Sequence, residues 1–159
     1  MEALPAGAPP LEEWHPKTRR LFEYWSGLRP GPGILPGRQH FDPLDVPELL
    51  AELLILEYVS PPDRLRYRLI GTKLVKTFGR EVTGQWYDEV HPEAARSPEY
   101  AETVARLQAG NPFWRRGRAL SVVDPQIYQI ELLHTPLARD GRNVDMAVSV
   151  LIYSYRNGA

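Results

Sequence analysis

Residues 64–90 read RLRYRLIGTKLVKTFGREVTGQWYDEV, and this stretch decides the fold. Leu65, Tyr67 and Leu69 alternate with Arg66, Arg68 and Ile70, the period of two that puts successive side chains on opposite faces of a strand. Gly71 stops the alternation. Leu74, Val75 and Phe78 then fall at helical spacing, with Thr72 placed to cap a helix over Lys73–Phe78 and Gly79 placed to end it. Thr83-Gly84 predicts a tight corner before the aromatic pair Trp86-Tyr87. Gly71, Gly79 and Gly84 stand where the chain changes direction and a side chain would restrict it.

Upstream, Leu53–Val59 (LLILEYV) is an apolar run rich in strand formers, closed by Pro61-Pro62. Beside the run from Leu65 to Ile70 it predicts a hairpin. Asp42-Pro43-Leu44-Asp45 reads as a turn, with Asp45 capping a short helix from Val46 to about Ala51 and Pro47 in its first turn. Earlier still, Pro16 is placed to open a helix whose apolar stripe is Leu21, Phe22, Trp25 and Leu28. Proline and glycine in residues 27–37 end that helix and form a linker. Residues 1–15 read as a flexible leader, 16–37 as the N-terminal helix and linker, and 38–156 as the domain proper.

Downstream, residues 86–98 are loop-like, and Pro98–Ala109 carries Tyr100, Val104 and Leu107 on one helical face before Gly110. Phe113–Val123, Gln126–Leu137 and Val144–Tyr155 are three strand candidates, with Asp124-Pro125 and Arg139-Asp140-Gly141-Arg142 as hairpin turns. The order predicts an α+β domain: a five-stranded antiparallel sheet, short helices on one face and an N-terminal amphipathic helix.

Composition narrows the function classes. In 159 residues there is room for one domain with a real core, and the net charge of −1 sets up no field for nucleic acid or an anionic membrane. There is no cysteine, so disulfides, thiolate metal sites and cysteine nucleophiles are excluded. The first residues lack the basic and apolar regions of a secretory signal, and no apolar run approaches the roughly 20 residues of a membrane span. A cytoplasmic location is expected. His15, His40, His91 and His134 stand at no metal-ligand spacing, and no phosphate loop or nucleophile elbow occurs. No catalytic and no metal site is therefore expected. Arg115-Arg116-Gly117-Arg118 is a basic cluster in which Arg116 and Arg118 share a strand face with Arg115 opposite. It reads first as a solvated sheet edge, and a site for an acidic ligand or phosphate is the other reading.

The residues now carry a resemblance. Leu21, Tyr24 and Trp25, the segment Asp42-Pro43-Leu44-Asp45-Val46-Pro47, the phrase Tyr67-Arg68-Leu69-Ile70-Gly71-Thr72, then Phe78-Gly79-Arg80 and Thr83-Gly84 resemble the bacterial PAS family of short, often stand-alone proteins. Arg118, Leu132, Pro136-Leu137 and Tyr153 fit it in the C-terminal half. The likeness spans about residues 16–155 and departs at Val122-Val123-Asp124-Pro125-Gln126, where many relatives have an Asp-Gly hairpin turn. It implies a PAS-like sensory domain with a cavity between sheet and helices. A small organic ligand would then meet Tyr58, Tyr67, Phe78, Trp86 and His134. A filled core without a cavity is the competing reading of the same aromatics.

The cofactor is open. Haem ligation by His91 is disfavoured because a lone histidine has no supporting shell, and a cysteinyl–flavin adduct because there is no cysteine; noncovalent flavin stays open. The first helix, through Leu21, Phe22, Trp25 and Leu28, is expected to form a homodimer or partner contact, with capping of the chain's own sheet as the alternative. No output module is recognisable, so a separate signalling protein is expected as the listener. Two other functions remain: a small isomerase- or hydratase-like enzyme built on Tyr58, Tyr67, Asp88 and His134, and a ligand-free dimerisation module.

Overall fold

The structure, a computed structural model, describes residues 3–120 and 124–156. Five strands form one antiparallel sheet: β1 (Leu53–Val59), β2 (Arg64–Ile70), β3 (Phe113–Gly117), β4 (Ile127–Leu137) and β5 (Met146–Tyr155), in the spatial order β2-β1-β5-β4-β3. Hairpins join β1 to β2 and β4 to β5. The long crossover from β2 to β3 carries α2 (Thr72–Phe78), α3 (Tyr87–Val90) and α4 (Pro98–Gln108). The α+β reading, with one antiparallel sheet and short helices, is what the chain adopts. β1 lies inside the sheet, between β2 and β5, and is covered on both faces, which is why its sequence is apolar nearly throughout.

Two cores result, one on each face of the sheet. On the outer face Leu53, Ile55, Leu133, Val148 and Val150 meet α1 (Pro16–Leu28). On the inner face Leu54, Leu56, Leu65 and Tyr67 meet Leu74 of α2 and Val104 and Leu107 of α4. The expected alternation in β2 breaks after Tyr67. Ile55 pairs with Leu69 and Leu56 with Tyr67, so Arg68 is an extra residue in the ladder. That bulge sends Leu69 to the outer core and Ile70 to the inner one, the reverse of strict alternation.

The apolar stripe of α1 is used within the chain. Leu21, Phe22 and Trp25 are wholly buried against the sheet, and Trp25 Nε1 donates to Pro136 O at 2.9 Å. Leu28 is half-buried on the same cluster. This corrects the expectation of a partner contact for Leu21, Phe22 and Trp25, which take the alternative and cap the chain's own sheet, because that face is an apolar surface within the same molecule. His15 caps the helix, its Nδ1 accepting from Lys17 N, with Pro16 at the first helical position.

The end of the leader, Glu13 to His15, packs on the sheet. Trp14 is buried, stacks on Trp114 at 5.6 Å and meets Phe22 edge-on at 5.4 Å. Arg116 Nη2 donates to Glu13 O, and His15 N donates to the buried carboxylate of Glu131.

Several local expectations change, among them residues 86–98, which read as loop-like but hold the one-turn helix α3 over Tyr87–Val90. Thr72 is the first helical residue of α2 rather than its cap, because Gly71 occupies the cap position. Asp45 accepts from the Tyr24 hydroxyl, and Asp42 instead caps a short turn by accepting from Leu44 N. β3 ends at Gly117 instead of running to Val123. Arg115 Nη1 donates to Arg118 O, which accompanies the chain's departure from the ladder. Residues 121–123 lie outside the described residues, and Asp124 forms a local turn to Gln126 and Ile127 in place of a two-residue hairpin.

Gly71 sits where β2 hands over to α2 beside the end of the preceding turn. A Cβ there would lie 2.4 Å from both Leu50 O and Ala51 O, backbone atoms with no rotamer to escape into. Gly79 needs its freedom for a different reason: it ends α2 in the left-handed region at φ 74°, with open space around it. Gly71→Ala is therefore expected to cost about 3 kcal/mol, at the upper end of overpacking. Gly79→Ala should cost about 1 to 2 kcal/mol from backbone strain alone. Urea unfolding of the two variants checks the order.

Candidate functional site

A partly open cavity lies between the inner sheet face and the crossover helices. It holds about 730 Å³ of atom-free space, the mouth included, of which about 90 Å³ admits the centre of a water molecule. Leu54 and Leu56 of β1, Leu65 and Tyr67 of β2, and Leu151 and Tyr153 of β5 form its floor. β4 adds Ile130, Leu132 and His134, spaced by two because they share the inward face. Phe78 of α2, Tyr87 and the following His91, and Tyr100 and Thr103 of α4 form the roof. Arg115 of β3, with Ala119 and Leu120 beyond it, closes one side.

The polar groups in this wall are held neutral or paired. The Tyr67 hydroxyl and His91 Nε2 share a hydrogen bond of 2.8 Å, both side chains buried. Burial raises Tyr67 well above the ordinary phenol value and depresses His91 to about 4, with the Arg80 charge acting in the same direction on His91. His134 Nδ1 bonds to the Ser149 hydroxyl and the ring lies parallel to Phe113; burial, with Arg115 nearby, lowers it to about 4 as well. Tyr87 and Tyr100 stack with centroids 5.0 Å apart and planes 8° from parallel. Burial pushes Tyr87 up to about 12 and raises Tyr100 and Tyr153. At neutral pH the wall is therefore uncharged except at Arg115.

Of the five residues named from sequence, the structure brings Tyr67, Phe78 and His134 together at this cavity. Tyr58 and Trp86 are elsewhere. Tyr58 donates to Asp63 Oδ1 at 2.8 Å, beside a shallow groove formed with residues 139–145. Trp86 turns outward and is flanked by two guanidinium groups, Arg64 at 4.0 Å and Arg66 at 5.0 Å from its ring centroid. Asp88 holds Arg64 through two hydrogen bonds of 2.8 and 2.6 Å and is held below the usual carboxylate range by that bond. The acid–base set Tyr58, Tyr67, Asp88 and His134 thus does not converge: two of its members face the cavity, and two are engaged outside it.

The sequence profile described as PAS domain matches residues 13–152. The chain belongs to the PAS domain family. Solved structures that share its fold include, by their names, a LOV protein and a PAS domain. The Rhodobacter sphaeroides LOV protein superposes with a TM-score of 0.52 at 13% identity, covering 74% of this chain and 71% of that one. The PAS domain from Bordetella pertussis BvgS gives a TM-score of 0.50 at 16% identity, covering 72% of this chain and 88% of that one. No curated protein sequence matches the chain.

Sequence reasoning about this PAS domain missed Tyr100, Thr103, Tyr153 and above all Arg115 as cavity residues. Tyr100 stands on the apolar stripe of its helix, a position that suits a core residue and a cavity wall alike. Arg115 stands two residues after Phe113, and that spacing was the available signal. It becomes decisive only with the pairing of Phe113 to His134 and Arg115 to Leu132, which places the arginine inward.

The two buried histidines make stability pH-dependent. Their folded values near 4 lie below the ordinary 6.5, so between those limits the unfolded chain binds protons that the folded chain does not. Their contribution is complete above pH 6.5 and is lost as the pH falls through about 4. The linkage limit is roughly 3 kcal/mol for each. His15, also lowered by partial burial, acts in the same direction. Urea midpoints should fall between pH 7.5 and 5, a range in which ordinary carboxylates stay ionised. His134→Gln should flatten that decline.

Proposed function

We propose that this PAS domain is a non-catalytic sensory domain that binds a small organic molecule in the cavity and reports its presence to a separate signalling protein. The observation that carries the reading is the cavity itself: a mostly apolar, partly open space with a few polar tips, the character of a small-molecule site. The family supports a sensory role. The dispersal of the four acid–base candidates supports binding without chemistry.

The proposed route of the signal runs through Glu52, at the entry to β1. Its buried carboxylate accepts from Lys17 of α1 at 2.9 and 3.0 Å and from Lys73 of α2 at 2.9 Å. The lysines hold Glu52 below the ordinary carboxylate value against the opposing effect of burial. Helix α2 carries Phe78 in the cavity roof, whereas α1 lies across the sheet. A ligand that displaces α2 therefore changes the tether on α1, and the outer surface of α1 becomes the readout. A homodimer, in this reading, uses surface other than the buried stripe. Ile34 and Leu44 are apolar side chains exposed on the N-terminal segment.

Native mass spectrometry of freshly purified protein tests the reading and gives the oligomeric state in the same spectrum. The expected result is a bound small molecule that is lost in Leu151→Trp, a substitution that fills the cavity. Unliganded protein in both samples, with no small organic compound raising the melting temperature of the wild type, would leave only an interaction module.

The coupling has its own check. Hydrogen exchange in α1 should slow when the cavity is occupied, and Glu52→Gln should remove most of that response while leaving ligand affinity within about threefold, since Glu52 does not line the cavity.

A further inference from the structure

Arg115 is half-buried in the cavity wall. Among the described lining residues it is the one side chain that carries a charge at neutral pH, and no carboxylate lines the cavity. Its environment contrasts with that of the other arginines on the sheet. Arg64 is paired with Asp88, Arg66 with Glu57 and Arg116 with Glu131. Among the described residues Arg115 has no ion-pair partner, and its guanidinium makes one hydrogen bond, from Nη1 to Arg118 O at 2.9 Å. Glu99 of α4 biases Arg115 electrostatically without pairing with it.

We infer that the ligand is a small organic acid, with a compact apolar body carrying one carboxylate that pairs with Arg115. This inference rests on the ligand-binding reading above and names the class of ligand. A guanidinium has five N–H donors in a planar fork, and one bond to a carbonyl leaves donors for a carboxylate. A cation held away from water beside apolar groups gains most from an anion brought to it. A single positive charge in an otherwise neutral wall matches a monoanion. A phosphate ester, with a charge nearer −2, would call for a second positive charge, and the described lining supplies a single one, Arg115.

The rest of the wall suits the body of such a molecule. Arg115 lies close enough to Tyr87 and His134 to act on both electrostatically. The stacked rings of Tyr87 and Tyr100 form a flat surface beside it, and Leu54, Leu56, Leu132 and Leu151 receive apolar atoms. A carboxylate anchored at Arg115 therefore has a flat or ring-shaped apolar space next to it.

The experiment compares matched pairs by calorimetry on the wild-type chain: phenylacetate with phenylacetamide, and cyclohexanecarboxylate with cyclohexanecarboxamide. The acids should bind at least tenfold more tightly than their amides. Arg115→Met, which keeps an apolar stem and removes the charge, should abolish that preference while binding the amides as the wild type does. The acid–amide comparison on the wild type stands even where the variant folds poorly. Equal binding of acids and amides overturns the inference and leaves the ligand-binding reading intact. Failure of all four compounds to bind at millimolar concentration overturns the inference too, and the ligand-binding reading is then judged by the mass spectrum of the purified protein and its Leu151→Trp control.

Discussion

A five-stranded sheet whose central strands are apolar on both sides must be covered twice, and the rest of this chain is placed by that need. Burying Leu53, Ile55, Val148 and Val150 on one face requires an amphipathic element from outside the β2–β3 crossover. Helix α1 fills that position with Leu21, Phe22 and Trp25. Each fully buried side chain of this size contributes about 1.5 to 3 kcal/mol. An exposed stripe of three would therefore forgo more stability than a short helix can supply by itself. The same arithmetic acts on Trp14, which extends the cover toward β3 by stacking on Trp114.

Covering the inner face is less complete, and the cavity lies there. Helices α2, α3 and α4 are short and are joined by loops, so they close over the sheet without filling the space beneath them. Tyrosine and histidine stand among the leucines of the cavity wall, on the roof and on the sheet. Their polar atoms are reconciled with burial by pairing, Tyr67 with His91 and His134 with Ser149, or by remaining neutral. Arg115 departs from that pattern, since a guanidinium stays charged whatever surrounds it.

Buried carboxylates connect the two layers. Glu131 accepts from His15 N, Trp114 Nε1 and Arg116, and so fastens the leader to β3 and β4. Glu52 joins α1 to α2. Both lie where strands meet the N-terminal segment. The outer helix is thereby tied by ionic contacts to the elements that roof or wall the cavity, and a domain with one helix on the far side of its sheet gains a physical path between the two.

Local patterns in the chain were enough for the order of elements. The continuous apolar run in β1, the glycines at 71 and 79 and the stripes of α1 and α4 each express a backbone or burial preference that acts within a few residues. The PAS character followed from those phrases. What they could not convey was direction. In β2 the extra residue Arg68 reversed the faces of Leu69 and Ile70, a bulge that exists only against β1. The adjacent pair Trp86-Tyr87 split, one ring out between two arginines and the other in against Tyr100. Arg115 and Arg116 alternate as their strand spacing predicts, but the sequence does not say that Arg115 is the one that faces the cavity and Arg116 the one that meets Glu131.

Sequence alone thus determined where the strand cores and the helices α1, α2 and α4 lie and that one helix needs an apolar surface, because each of these follows from short-range spacing and glycine freedom, whereas α3 stands in a stretch that reads as loop. Tertiary structure alone decided that this surface is the chain's own sheet and that Tyr58 and Trp86 stand outside the cavity. It also decided that Arg115 stands within it. Those outcomes depend on strand registers between residues far apart in the chain, where a shift of a single residue exchanges the two faces.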